Sequence, residues 1–180
     1  MRDLKTKHEQ FDAATALIDS GDTAGLKQLL ADHPDLVNSR GEDNLPLIVH
    51  LIDWPGHRPN ASETARVLLE AGAEVDARRN EENGTALAGA LCTEEIDVLR
   101  VLLEGGADIH APLGWMDGTV LEFAERICEN ETRSGEPKMV ELNRLFSEAA
   151  GRPVPKRPKI GGSTPIIFVK DVDAAMEYYR

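Results

Sequence analysis

Aromatic residues make up only 4% of this 180-residue chain, and it holds two cysteines, two tryptophans and two tyrosines. Leu and Ala are abundant instead, a composition that suits close-stacked helices better than a sheet sandwich. Cys92 and Cys128 are too few for a disulfide framework, and no Cys-x-x-Cys or histidine cluster accompanies them. We expect them to be small half-buried residues of helices. No stretch approaches the roughly 18 consecutive apolar residues of a membrane span. The opening, MRDLKTKHEQ, lacks the apolar core of a signal peptide, so the expected location is cytoplasmic. The sequence also offers no Gly-rich phosphate loop, no nucleophile with a neighbouring base and no metal-ligand spacing. His8, His33, His50, His57 and His110 are scattered along it. No catalytic residue, cofactor or metal is therefore expected.

What the chain does have is a repeat. LLEAGAEVDA, from Leu68, and LLEGGADIHA, from Leu102, match at six of ten positions and lie 34 residues apart. Thr85 and Thr119 stand at the same offset, each after a glycine. A fixed period in this range signals stacked supersecondary units. Ile96, Leu99, Leu102 and Leu103 draw one apolar stripe at helical spacing, and Leu87, Leu99 and Leu102 are predicted core. Gly72 and Gly106 sit where a left-handed residue ends a helix, and Thr119 with Glu122 has capping-box spacing. The second unit should open with a helix over Pro46 to Ile52, and Glu94, Glu95 and Asp97 should fill the first turn of the helix after Thr93.

Leu45-Pro46-Leu47, Thr85-Ala86-Leu87 and Thr119-Val120-Leu121, with Leu68-Leu69…Gly72-Ala73 and Leu102-Leu103…Gly106-Ala107, resemble the ankyrin repeat. The resemblance implies an all-α solenoid of about four helix-turn-helix units, at about 8–40, 41–79, 80–113 and 114–151. The first unit and the last, whose Leu-Leu-Glu-x-Gly-Ala ending is lost, read as terminal caps. The function it implies is a non-catalytic scaffold for binding another protein.

Between the second and third opening triplets the spacing is 40 rather than 34 residues, so about six are inserted, around Trp54-Pro55-Gly56-His57-Arg58-Pro59-Asn60. Such insertions often carry recognition, and Trp and Arg are enriched in binding hot spots. Alternatively, Trp54 folds back over the helix ends. Trp115 and Met116 fall in the hairpin before the fourth unit, either as contact residues or as a cover for the neighbouring hairpin. The candidate partner-binding residues are Trp54, His57, Arg58, Arg78, Arg79, Trp115 and Met116, on one surface with the first helix of each unit and the fingers, the loops that lead into those helices, such as polar Ser39 to Asp43. Residues 1–151 carry a charge of −15 and residues 152–180 one of +3. The acidic part should repel nucleic acid and favour a partner with a basic patch, or the acids serve solubility alone. Self-association is a further possibility that light scattering would reveal.

Residues 152–163 have the Pro, Gly and Lys/Arg content of a linker. After it, Thr164 to Lys170 is fit for a strand, and Asp171 for the N-cap of a helix bearing Val172, Ala175, Met176 and Tyr179. This stretch, 164–180, resembles the start of the glyoxalase and bleomycin-resistance superfamily, the vicinal-oxygen-chelate fold. The resemblance implies a truncated strand-helix tail. As an alternative function, the stack would tether an enzyme or drug-binding domain lying beyond Arg180. Ser163, Thr164 and Pro165 stand where metal-dependent members carry their first ligand.

Overall fold

The computed structural model describes residues 6–154 apart from 42, 130–132 and 134. The expected strand-helix tail and nearly all of the linker lie outside the described residues. Eight α-helices are described: α1 Lys7–Ser20, α2 Thr23–Asp32, α3 Leu47–His50, α4 Ala61–Glu70, α5 Ala86–Cys92, α6 Ile96–Glu104, α7 Val120–Cys128 and α8 Pro137–Ala149. Isolated antiparallel bridges, Arg40 with Pro46 and Pro112 with Thr119, are the only extended pairing among the described residues. The described part is therefore all-α. None of its helices is long and apolar enough to cross a membrane.

Helix starts and stops are written locally. Thr6 and Thr119 form capping boxes with Glu9 and Glu122, and the Thr85 hydroxyl caps α5 through the amide of Ala88. After α4 and α6 the chain turns at Gly72 (φ 92°) and Gly106 (φ 85°). In both turns the Gly and Ala amides return to the carbonyls of the preceding Leu-Leu pair. These bonds satisfy the last helical carbonyls, and the positive φ requires glycine.

The helices pack in two rows. The inner row is α1, α3, α5 and α7, the outer row α2, α4, α6 and α8, and each helix touches its neighbours along its own row. Pairs α1/α2, α3/α4, α5/α6 and α7/α8 pack across the rows. One continuous core fills the space between, and Leu87, Leu99 and Leu102 in it are fully buried. A helix whose apolar stripe covers only part of its circumference must bury that stripe against a neighbour, and the two rows do this for each other.

Two local expectations are corrected. The helix opening the second unit is shorter than Pro46 to Ile52, because its end tightens: the Ile52 amide bonds Val49 O at 3.1 Å, an i to i−3 bond. Glu94 lies before α6 in the left-handed region, at φ 55°. Its carboxylate grips the next unit rather than sitting in the first turn of α6.

Adjacent units are joined in three places. On the outer row, Lys27 of α2 meets Glu70 of α4 at 3.6 Å, Arg66 of α4 meets Glu104 of α6 at 3.4 Å, and Arg100 of α6 meets Glu141 of α8 at 2.7 Å. At the corners after the inner helices, Asn60 Nδ2 donates to Gly21 O at 2.9 Å and the His57 amide to Glu95 Oε1 at 3.0 Å. Arg133 continues that edge by gripping both oxygens of Glu94 at 2.5 and 2.9 Å. At the opposite, finger edge, Arg40 donates to Arg78 O at 2.5 Å, and Asn44 donates to Arg79 O. Corners meet corners and fingers meet fingers, so the inner helices run parallel.

Candidate functional site

The seven residues singled out from the sequence divide between these two edges. Trp54, His57 and Arg58 belong to the corner after α3. Arg78, Arg79, Trp115 and Met116 belong to the fingers before α5 and α7. The edges are separated by the length of an inner helix, about 10–14 Å for seven to nine residues at 1.5 Å each. The expected single surface is thus two edges with the inner helices between them.

Trp54 does not fold back over the helix ends; it is 87% exposed. Its loop is held from beneath by Arg58, whose side chain is only 10% exposed. Arg58 Nε donates to Asp19 Oδ1 at 2.6 Å, and its Nη1 donates to the carbonyls of Leu51 (3.1 Å) and Asp53 (2.8 Å). Arg58 is therefore a strut that folds the insert, while Trp54 and His57 are left outward. His50 Nε2 reaches the same Asp19 oxygen at 2.9 Å. Burial pushes the Asp19 carboxyl up, but its hydrogen bonds and charge contacts with Arg58 and His50 outweigh this and hold it below the ordinary aspartate value. A His–Asp pair is half of an acid–base device. Here the carboxylate oxygen is shared with a guanidinium, which makes the group a corner brace.

On the finger edge, Arg79 spans from Asp43 (3.2 Å) to Asp53 (3.3 Å) along α3. Arg78 is half-buried and gives its carbonyl to Arg40. Trp115 lies against Gly84 of the preceding finger, where an added Cβ would stand 2.4 Å from its ring. It is still 49% exposed, so it both covers the neighbouring hairpin and presents a face to solvent. Met116 is 43% exposed, and its sulfur accepts from Arg126 Nη2 at 3.5 Å.

Arg126 was not among the sequence candidates. Its guanidinium lies 5.3 Å from the Phe123 ring centroid, a cation–π distance. Most described arginines in this acidic chain contact a carboxylate; Arg126 instead rests on a ring and a thioether. Before and within α7, Met116, Phe123 and Arg126 thus come together in one aromatic and cationic group, with Trp115 next to Met116 in the chain. The i, i+3 spacing of Phe123 and Arg126 was readable in the sequence. Their meeting with Met116 depends on the hairpin.

A groove of about 540 Å³ opens at the corner edge where α4, α6 and α8 begin, lined by His57, Ser62, Glu95, Asp97, Lys138 and Glu141 among others. Its carboxylates are already engaged. Arg133 holds Glu94 below the ordinary glutamate value despite partial burial, and the Arg144 hydrogen bond does the same for Glu141. Burial pushes the Cys128 thiol up to about 11, helped by Glu125 and Glu129, and desolvation raises Cys92 as well although that residue is exposed overall. Neither thiol has the depressed value of an activated nucleophile. Among the described residues no group of three or more His, Cys, Asp or Glu could hold a metal ion. No protein-family model matches the chain, and the search of curated proteins gives no match.

Proposed function

We propose that the chain is a non-catalytic recognition scaffold of the ankyrin-repeat type, and that its ligand is another protein presenting a basic patch. The observation that carries this reading is the placement of the tryptophans. In a chain this poor in rings, both lie in loops outside the core, 87% and 49% exposed. Burying a large apolar side chain stabilises a fold by about 1.5–3 kcal/mol, and neither tryptophan contributes this in full. Their exposure fits a role in binding, where tryptophan is among the residues most enriched in hot spots.

The two-row packing, the glycine turns after α4 and α6 and the 34-residue offset support the ankyrin-type reading. The net charge of −12 supports a cationic partner, since complementary charge speeds encounter and suppresses wrong partners.

The test is capture from the native host's lysate with four versions of the chain: wild type, Trp54→Ala, Trp115→Ala and the double variant. The specific partner should be weakened by at least one single change and lost in the double variant, with association slowed by added salt. Equal capture by the double variant would remove the assignment.

A further inference from the structure

Asn83 differs from the other described asparagines in what its carboxamide touches. Asn38 donates from Nδ2 to Gly72 O at 2.9 Å and accepts from the Glu74 amide at 2.9 Å. Asn44 donates to Arg79 O and Asn60 to Gly21 O, while Asn80 accepts from the Glu82 amide and Asn143 from the Ser147 hydroxyl. The half-buried Asn83 side chain makes no hydrogen bond to any described residue. Its successor is the second anomaly. Gly84 is buried, yet its amide donates to no described acceptor. Buried backbone N–H groups are nearly always paired. Gly84 also has no side chain to shield that nitrogen, whereas Ser39, Leu45, Ala61, Glu81 and Arg144 follow the other five asparagines. An unheld amide nitrogen therefore stands next to an unheld carboxamide.

We propose that Asn83 is a spontaneous modification site of the folded chain, deamidating through a cyclic imide with Gly84. In the first step the Gly84 amide nitrogen attacks Asn83 Cγ. The N–Cγ bond forms, the Cγ–Nδ2 bond breaks, and the side-chain nitrogen leaves as ammonia with the proton that the Gly84 amide gives up. Water then adds to one of the two imide carbonyls and opens the ring. Opening on one side leaves an aspartyl residue. Opening on the other leaves an isoaspartyl residue, in which the backbone runs through Cβ and Cγ and the α-carboxylate becomes the side group. Water is the one co-reactant.

The isoaspartyl product does not fit the stack. A Cβ added at Gly114 would stand 2.6 Å from Asn83 C and 2.9 Å from Asn83 O. One added at Gly84 would stand 2.7 Å from Leu113 O and run into the Trp115 ring. The third finger thus lies backbone to backbone on the fourth, with no space for one further carbon at either glycine. The isoaspartyl link lengthens the third finger by one backbone atom at this contact, and it adds a carboxylate to a finger that already carries Glu81 and Glu82. Close-packed contacts take up added atoms only by shifting. The isoaspartyl form therefore parts the two fingers and releases the Trp115 ring, whereas the aspartyl form keeps the backbone length and leaves the contact closed. This inference stands whether or not the tryptophans bind a partner.

Incubation of the folded 180-residue chain in mildly alkaline heavy-oxygen water, followed by peptide mass spectrometry, tests it. Asn83 should gain solvent oxygen several-fold faster than Asn38, Asn44, Asn60, Asn80 or Asn143, with isoaspartyl product present and helical circular dichroism retained at the early time points. Reaction at Asn83 only after urea is added, or no faster than at those five, would overturn the proposal. In a Trp54→Phe background Trp115 is the sole tryptophan. There the purified isoaspartyl form should emit further to the red than its parent, and Asn83→Asp should match the parent. Unchanged emission from the isoaspartyl form, or an equal shift in Asn83→Asp, would overturn the stated effect on the finger contact. The wild-type map decides the site even if the Trp54→Phe chain fails to fold.

Discussion

The contact between Gly89 and Ile52 offers a direct measurement of whether the second and third units are stacked as described. Gly89 lies inside α5, where replacement by alanine gains about 0.5–1 kcal/mol of helix stability. The new Cβ would stand 2.2 Å from Ile52 Cδ1 and 3.1 Å from Cγ1. Carbon atoms prefer about 3.5–4.0 Å. Ile52 is 6% exposed, so it has little room to retreat. Overpacking of this kind costs about 1–3 kcal/mol, which leaves Gly89→Ala between neutral and about 2.5 kcal/mol destabilising. Ile52→Val removes the clashing methyl and alone costs about 0.5–1.5 kcal/mol. In the double variant the clash is relieved and the helix gain remains, so stability should return to within about 1 kcal/mol of wild type. Urea denaturation followed by circular dichroism would give a favourable coupling of about 1–3 kcal/mol between the two sites. Additive effects, within the roughly 0.3–0.5 kcal/mol expected of independent positions, would refute the packing of α5 on α3.

Truncating Leu87, Leu99 or Leu102 to alanine should cost about 2–5 kcal/mol each in the same urea assay, because all three are fully buried. Asp19 has a lowered folded-state pKa, so its brace stabilises the chain above the ordinary carboxylate value of about 3.9 and is lost as pH falls through the lower folded value. Asp19→Asn should therefore lower the thermal midpoint at neutral pH and narrow its gap to wild type on acidification; an undiminished gap at the acid end would contradict the assignment. In a Cys92→Ser background at pH 8, Cys128 should alkylate on the order of a hundredfold more slowly in the folded chain than in urea, since a thiol pushed up to about 11 holds little thiolate there. Equal rates would show that the thiol is not shielded.

The repeat and its turns were legible because they are local. Gly72, Gly106, the Thr119–Glu122 capping box and the buried leucines each follow from residues within a few positions of one another. The corner after α3 was not. Arg58 resembled a contact residue because tryptophan and arginine share one loop, but Asp19, 39 positions earlier, turns it inward. The acidic neighbours of Glu94 suggest a helix-start acid, while its real partner, Arg133, is 39 positions later. Trp115 could not be assigned to covering or contact from sequence, because that choice depends on the close approach of the Gly84 backbone.

The ion pairs of the outer row have a consequence for how such a chain can grow. Exposed pairs of this type contribute at most about 1 kcal/mol each, so their value lies less in holding the stack together than in its grammar. Lys27, Arg66 and Arg100 point forward in the chain, and Glu70, Glu104 and Glu141 answer backward. Arg66 and Arg100, like Glu70 and Glu104, differ by one repeat length of 34 residues. Each middle module is thus a plug on one flank and a socket on the other. A gene duplication that copied one of them in frame would insert a module already fitted to both neighbours.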